Sequence, residues 1–207
     1  MDKLDNYGCA GGMRCKAPDA QHGHSMQATG NAAACPSVQP ECSNYPRTAP
    51  AEVIDQSLLL EAAEAAAASP RRRKNYNFHA DDGDVCHRLL NAIEPDSYIP
   101  PHCHLDSSKD ETILVLRGKI GMVLFDPAGK VSRAVVLQAG GESLGINIPH
   151  GQIHTLVALE PGSVFFEAKA GPFVPLSAQE KAAWAPAEGT SEAERYLTQL
   201  KELFATT

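Results

Sequence analysis

The sequence lacks features that would assign it to several common functional classes. No apolar run approaches the roughly 18 residues that a membrane-spanning helix needs, and the first residues, MDKLDNYGCAGGMRC, contain no apolar signal core. Basic residues are outnumbered, with 18 Lys and Arg against 25 Asp and Glu and a net charge of -7. The broad basic surface of a nucleic-acid-binding protein is therefore missing. We expect a cytoplasmic protein that binds neither membranes nor nucleic acids.

The sequence also lacks closely spaced cysteine pairs. Four of the six cysteines fall in the first 50 residues, at positions Cys9, Cys15, Cys35 and Cys42. Their intervals of five, nineteen and six residues differ from the spacing of about two to four residues in ordinary zinc sites. A disulfide framework is not expected in a reducing compartment. The surrounding Gly, Ala, Pro, Ser and Gln residues predict a disordered, low-complexity tail over residues 1–50.

Two helical segments flank the centre of the chain. Residues 51–75 predict an N-terminal helix and a basic segment, in which Pro70 ends the helix and the run RRRK suits the negative end of its dipole. The apolar face of this helix is predicted to be Val53, Ile54, Leu58 and Ala62. Residues 188–207 predict a C-terminal helix, with Thr190 and Ser191 preceding Glu194 in a capping-box arrangement. Its apolar stripe is Ala193, Leu197, Leu200 and Phe204.

Between these helices, residues 76–187 consist of short apolar runs separated by turns. The runs are VCHRLLNAIEP, ETILVLRG, KIGMVLFD, VSRAVVLQA, SLGINIP, HTLVALE and SVFFEAKAG. Turn residues lie between them, as in DPAG and EPGS. Seven short strands at hairpin spacing, with no helices between them, predict an all-β antiparallel barrel or double-sheet jelly roll.

Within this region, the stretch PPHCHLDSSKDETILVLRG carries two histidines one residue apart. On a strand, His102 and His104 face the same side while Cys103 faces the other. Glu111 begins the next apolar run, and His154 follows the turn residues Pro149 and Gly151. Three imidazoles and one carboxylate suit Fe(II), Mn(II), Ni(II) or Zn(II). We therefore predict a divalent metal site within the barrel.

The two motifs that contain these four residues resemble those of the cupin superfamily. A closer resemblance is to the WbuC family of cupin-fold metalloproteins, over roughly residues 53 to 187, through SPRRRKNYNFH, RLLNAIEPDSYIPPHCH, KDETILVLRGKIGMVLFD, IPHGQIHT and LEPGSVFFEAKAGPF. It implies a cupin-type double-stranded β-helix with His102, His104, Glu111 and His154 as the metal ligands. The chain departs from the cupin pattern in the six residues between His104 and Glu111, where three or four are usual. It also departs at Ala158, where an asparagine is common.

Alternation along the strands predicts further pocket residues. Glu167 and Lys169 share one face of SVFFEAKAG, and two charges in so apolar a strand favour a catalytic pocket over a solvated face. Arg88 is placed on the opposite face of its strand from His87, where it either binds an anionic group or forms a surface ion pair. The RRRKNYNFH segment is either an edge strand or a ligand-binding segment with Asn75, Asn77 and His79 as polar contacts. Cys86 and Cys103 are predicted to be small buried hydrophobes.

The resemblance also implies a function in surface polysaccharide metabolism. We expect an enzyme that acts on a small polar or anionic molecule, such as a sugar or nucleotide-sugar intermediate of O-antigen biosynthesis. The reaction would be isomerisation or epimerisation, with Glu167 or a metal-bound hydroxide as base. An Fe(II) site would support dioxygenation instead. The alternative from another class is a non-catalytic, metal-dependent sugar sensor. A homodimer is expected by analogy with other small cupins.

Overall fold

A computed structural model describes residues 50–205, so the predicted tail, with its four cysteines, lies outside the described residues except for its last position. The described part contains two helices, α1 (Gln56–Ala68) and α2 (Ser191–Glu202). It also contains eight strands: β1 (Arg73–Asn77), β2 (Cys86–Ile93), β3 (Glu111–Arg117), β4 (Lys119–Phe125), β5 (Val131–Gln138), β6 (Gly145–Ile148), β7 (Ile153–Ala158) and β8 (Ser163–Ala170). Each of the seven predicted apolar runs forms one of the strands β2 to β8.

The strands form two antiparallel sheets. The larger has the order β1-β2-β8-β3-β6, and the smaller has the order β5-β4-β7. The chain passes from the larger sheet to the smaller at Gly118, whose φ of 73° lets β3 turn into β4 within one residue. The all-β jelly roll with flanking helices that the sequence predicts is confirmed.

Three apolar layers hold this architecture together. The layer between the sheets includes Ile113, Met122 and Phe165. α1 packs on the outer face of the larger sheet, with Ala66 among the residues that contact the layer containing Leu90 and Val164. α2 packs on the outer face of the smaller sheet. Because strands such as KIGMVLF are buried on both faces, they read as continuous apolar runs without clean alternation.

The predicted face of α1 is correct at Ala62 and in part at Leu58, which packs against the same apolar layer, but it is wrong at Val53 and Ile54. The helix begins at Gln56, because the side chain of Asp55 caps it by accepting a hydrogen bond from the Leu58 amide at 3.0 Å. Val53 and Ile54 therefore precede the helix and are 72% and 44% exposed. The buried face consists of Leu59, Ala62, Ala63 and Ala66.

The basic segment follows α1, and the Arg72 guanidinium donates a hydrogen bond to the Ala67 carbonyl in the last turn of the helix, in agreement with the predicted interaction with the negative end of its dipole. No basic residue lies in the last turn of α1. Arg73 starts β1, which is an edge strand. Arg71 and Arg73 both pair with Glu188, with nitrogen–oxygen distances of 3.2 and 2.8 Å, and Arg72 pairs with Asp96 at 3.0 Å. Arg71 and Arg73 therefore link the segment after α1 to the segment that precedes α2.

The C-terminal helix agrees with its prediction. Thr190 caps α2 by accepting a hydrogen bond from the Ala193 amide at 3.2 Å. All four residues of the predicted stripe are buried in the layer under the smaller sheet: Ala193, Leu197, Leu200 and Phe204. Within residues 50–205, no helix is long and apolar enough to cross a membrane.

The two cysteines of the barrel have different surroundings. Cys103 is buried, as predicted, whereas Cys86 is exposed and the prediction for it is wrong. Cys86 is the first residue of β2 and pairs with Ala170, the last residue of β8. It therefore lies at the rim of the sheet, where no apolar layer covers it.

Candidate metal centre and ligand pocket

His102 and His154 lie opposite each other across an isolated antiparallel bridge. Each donates its backbone amide to the other's carbonyl, at 3.0 Å from His102 and 2.8 Å from His154. The HCH stretch was predicted to lie on a strand, but this is wrong, because it forms only this short extended segment. Pro100 and Pro101 precede it and have no amide hydrogen with which to extend a ladder.

The segment nevertheless brings the imidazoles together. The Gly151 amide donates to the His104 carbonyl at 2.6 Å, which ties the second histidine to the same turn. The ring centroid of His102 lies 4.7 Å from that of His154 and 5.6 Å from that of His104. The imidazoles therefore converge because the two backbone segments pair across the bridge, and not because residues alternate along a strand.

Glu111 reaches this cluster despite the long spacer. The loop contains a tight turn, in which Asp106 accepts hydrogen bonds from the Ser108 amide at its side chain and from the Lys109 amide at its carbonyl. Glu111 then begins β3 with a buried side chain. Its two carboxylate oxygens lie 2.7 Å from Nε2 of His104 and 3.2 Å from Nε2 of His154. The structure therefore brings together all four predicted ligands.

The hydrogen bonds of two imidazoles leave their Nε2 atoms available to a cation. Nδ1 of His102 lies 3.0 Å from the Pro100 carbonyl, and Nδ1 of His154 lies 2.9 Å from the Gln152 carbonyl. A carbonyl oxygen only accepts, so each Nδ1 donates its proton and each Nε2 keeps a lone pair. Backbone carbonyls orient metal-binding histidines in this way in many proteins.

His104 supplies a further sign that the cluster fits a metal. Its Nε2 is buried and has no hydrogen-bond partner within residues 50–205, although it is 2.7 Å from Glu111, because the two groups are poorly aligned. No three of the described His, Cys, Asp or Glu side chains stand in metal-holding geometry as they are now placed. Ligands of one tetrahedral ion lie about 3.4 Å apart, whereas His104 and Glu111 touch directly. The donor types suit a divalent ion, and His104 and Glu111 would have to separate to hold one.

Charge states in the cluster also suit cation binding. Burial and the neighbouring His154 lower the pKa of His102 to about 4, so its ring is neutral at pH 7. Burial raises the pKa of Glu111, but His104, His154 and the charge of Lys169 lower it more. Its net pKa is well below the usual range, and Glu111 is a carboxylate at neutral pH.

Glu167 and Lys169 face the barrel interior, as predicted. Nζ of Lys169 lies 2.9 Å from Glu111 and 2.6 Å from Glu167. The second oxygen of Glu167 accepts a hydrogen bond from the Asn91 amide at 2.8 Å. Burial lowers the pKa of Lys169, but the two carboxylates raise it more. Lys169 therefore stays protonated and is a charge-bearing group in the site, not a base.

A cavity of about 290 Å³ opens beside this ion-pair chain. The predicted contacts Asn75, Asn77 and His79 line it, with Glu167 and Lys169. The four-residue cluster does not line it, so Lys169 connects the cavity to the candidate metal centre. His87 and Asn91, which the sequence did not assign to the site, also line the cavity.

Arg88, for which either anion binding or a surface ion pair was predicted, does not line this cavity. Its side chain is exposed, and its backbone lies opposite Ala168 of β8 in the strand register. Successive residues of β2 alternate between the barrel interior and the face that carries α1. Because His87 faces the interior, Arg88 faces outward.

A family model and several solved structures match parts of the chain. Residues 54–137 match a family model described as Domain of unknown function (DUF6016), a span that includes His102, His104 and Glu111 but not His154. No curated protein matches the chain.

Similar solved structures include KdgF from Halomonas sp., with 17% identity over 50% of this chain and 83% of that one, and a TM-score of 0.40. A protein of unknown function from Streptococcus pyogenes, SPY1581, has 13% identity over 61% of this chain and 92% of that one, and a TM-score of 0.41. An oxalate decarboxylase has 22% identity over 49% of this chain, with a TM-score of 0.39. This chain spans only 27% of that enzyme's chain.

Proposed function

We propose that the chain binds one divalent metal ion through His102, His104, Glu111 and His154 and is an enzyme related to the WbuC family. The observation that carries the proposal is the contact of Glu111 with both His104 and His154, at 2.7 and 3.2 Å. There the carboxylate faces the lone pair of His154 Nε2 and the buried Nε2 of His104, which has no hydrogen-bond partner among the described residues. Such an arrangement needs a cation between them to be fully stabilised.

The residues beside the cluster have complementary roles. A divalent ion held there would polarise a substrate oxygen and so acidify the adjacent C–H bond. Glu167 accepts the proton from that carbon, because Asn91 and Lys169 hold its two oxygens at 2.8 and 2.6 Å and fix its orientation. Lys169 keeps its charge and offsets the two neighbouring carboxylates.

These roles support proton transfer on a small polar substrate. We assign the substrate to a sugar or nucleotide-sugar intermediate of surface polysaccharide biosynthesis, and the reaction to isomerisation or epimerisation. The rival assignment, a sugar sensor, predicts no acid or base near the bound ligand. The partial burial of Glu167, with 11% of its side chain exposed, and its link to Glu111 through Lys169 favour the enzyme.

Metal analysis of the full-length protein tests the proposal. Protein purified without chelator or affinity metal should contain about one divalent ion per chain, and His102→Ala and His154→Ala should lose most of it. His150→Ala is the matched control, because His150 lies in the same turn as His154 but pairs with Asp110 at the surface. A full metal load in both cluster variants would contradict the proposed site.

A further inference from the structure

The strand register connects the candidate metal centre to a second polar position. Lys169 on β8 lies directly between Glu111 on β3 and His87 on β2. The three residues therefore form one row across adjacent strands, on the face that lines the barrel interior. Because neighbouring strands are about 4.8 Å apart, the Cα atoms of Glu111 and His87 are about 10 Å apart.

His87 has the features of a ligand-binding residue. It is only 4% exposed, and its buried Nε2 has no hydrogen-bond partner among the residues that the structure describes. Buried polar atoms of this kind are rare in folded proteins and call for an explanation. Its ring stacks on that of His79, with centroids 4.1 Å apart and an angle of 15° between the planes. This packing holds the imidazole in place at the cavity wall.

The charges around the cavity favour a neutral ligand. Lys169 is the only lysine or arginine among the described residues that line it, and Lys169 already pairs with Glu111 and Glu167. The cavity lining also includes the acidic Asp82. An anion in this cavity would therefore face carboxylates, and no cationic side chain of the described lining would be free to bind it. Hydroxyl groups, which both donate and accept, match the imidazole of His87 and the amide of Asn77.

We propose that His87 forms a second subsite that binds a hydroxyl group of a neutral polyhydroxylated ligand, about 10 Å from the metal end of the row. The proposal rests on the proposed function only for assigning the Glu111 end to a metal. The ligand occupies the cavity on the His87 side of Lys169, and the contact at His87 selects for a hydroxyl at that end. A ligand that carries a phosphate or carboxylate at this end is excluded.

Side-chain NMR of histidine-labelled, full-length protein tests this subsite. The probes are a panel of hexitols, cyclitols and unphosphorylated aldohexoses, with inorganic phosphate as the anionic comparison. At least one polyol should shift the His87 resonances in a saturable way, whereas phosphate should leave them unchanged. The resonances are assigned by their loss in His87→Phe. If no polyol perturbs His87, or if phosphate perturbs it and the polyols do not, the proposal is refuted.

Variants of His87 distinguish a binding role from a structural one. His87→Phe keeps an aromatic ring on His79 but removes both nitrogens, and should weaken polyol binding at least tenfold. His87→Gln keeps a polar group and should retain part of the affinity, which also covers the case that the Phe variant does not fold. Polyol binding that is unchanged in both variants would overturn the proposal. Both variants should contain as much metal as the wild-type protein. Wild-type protein that contains no metal would contradict the proposed metal site but not the subsite at His87.

Discussion

Glu111→Gln removes one negative charge from the centre of the histidine cluster and leaves the size of the side chain nearly unchanged. The wild-type carboxylate lies 2.7 Å from His104, 3.2 Å from His154 and 2.9 Å from Lys169. A glutamine amide can still donate to an imidazole Nε2 and accept from Lys169. Lys169 also keeps its pairing with Glu167 at 2.6 Å. We therefore expect the metal-free variant to fold.

Metal binding should be far more sensitive to this change. Loss of a group that only orients a ligand costs about 10- to 100-fold in metal affinity. Glu111 would supply the one negative charge among the four predicted ligands, so its loss should cost at least about 100-fold. This factor corresponds to about 2.8 kcal/mol of binding free energy.

The neighbouring residue provides a matched control. Asp110→Asn makes the same change of carboxylate to amide, one position earlier in the chain. Asp110 also contacts a histidine, His150, at 2.8 Å, but both side chains are about half exposed. Exposed pairs of this kind contribute little to stability. Asp110→Asn should therefore bind metal with wild-type affinity.

Calorimetric titration of the stripped full-length proteins measures this difference. Each protein is treated with chelator, dialysed and titrated separately with Mn²⁺, Ni²⁺ and Zn²⁺, and thermal unfolding confirms that the metal-free forms are folded. The reasoning fails if Glu111→Gln and Asp110→Asn bind the same ion equally well. In that case the cluster would be three histidines, with Glu111 bound only to Lys169.

Three other predictions follow from packing and burial. Leu200→Ala should lower the free energy of unfolding by about 2 to 4 kcal/mol in urea titrations, because Leu200 is 3% exposed under the smaller sheet. Thr190→Ala should cost about 1 kcal/mol in the same assay through loss of the α2 cap, and equal stability to wild type would show that the cap is not needed. A thiol reagent followed by peptide mapping should label Cys86 in the native protein and Cys103 only after denaturation, since burial raises the pKa of the Cys103 thiol. Equal labelling of these two cysteines in the native protein would contradict their assigned burial.

Local pattern was sufficient to predict most elements of the fold. The seven apolar runs became strands β2 to β8 because each run is bounded by turn residues that end a strand. The apolar stripe of α2 was predicted correctly because its helical period and its capping residue indicate the same helix. The face of α1 was wrong at Val53 and Ile54 because two signals competed. Val53 and Ile54 extend the apolar period, but Asp55 starts the helix after them.

The candidate site could be predicted only in part, because its assembly depends on contacts distant in sequence. Alternation in β8 placed Glu167 and Lys169 on one face, but it could not show which strands would lie on either side. The register supplies that information by setting Lys169 opposite both Glu111 and His87. The convergence of His102 with His154 depends likewise on a backbone bridge between segments some fifty residues apart.

The long spacer before Glu111 illustrates why the site tolerates a departure from the cupin pattern. The position of Glu111 is set by the pairing of β3 with β8 and β6, where it lies opposite Lys169 and Ile148. The extra residues form a turn around Asp106 outside the sheet, and a surface loop can lengthen at a small entropic cost. Spacer length is therefore a weak guide to whether Glu111 contacts the histidines. Lys169, which lies opposite Glu111 in the sheet, is a stronger guide to the position of Glu111, because a buried lysine needs carboxylates that face it.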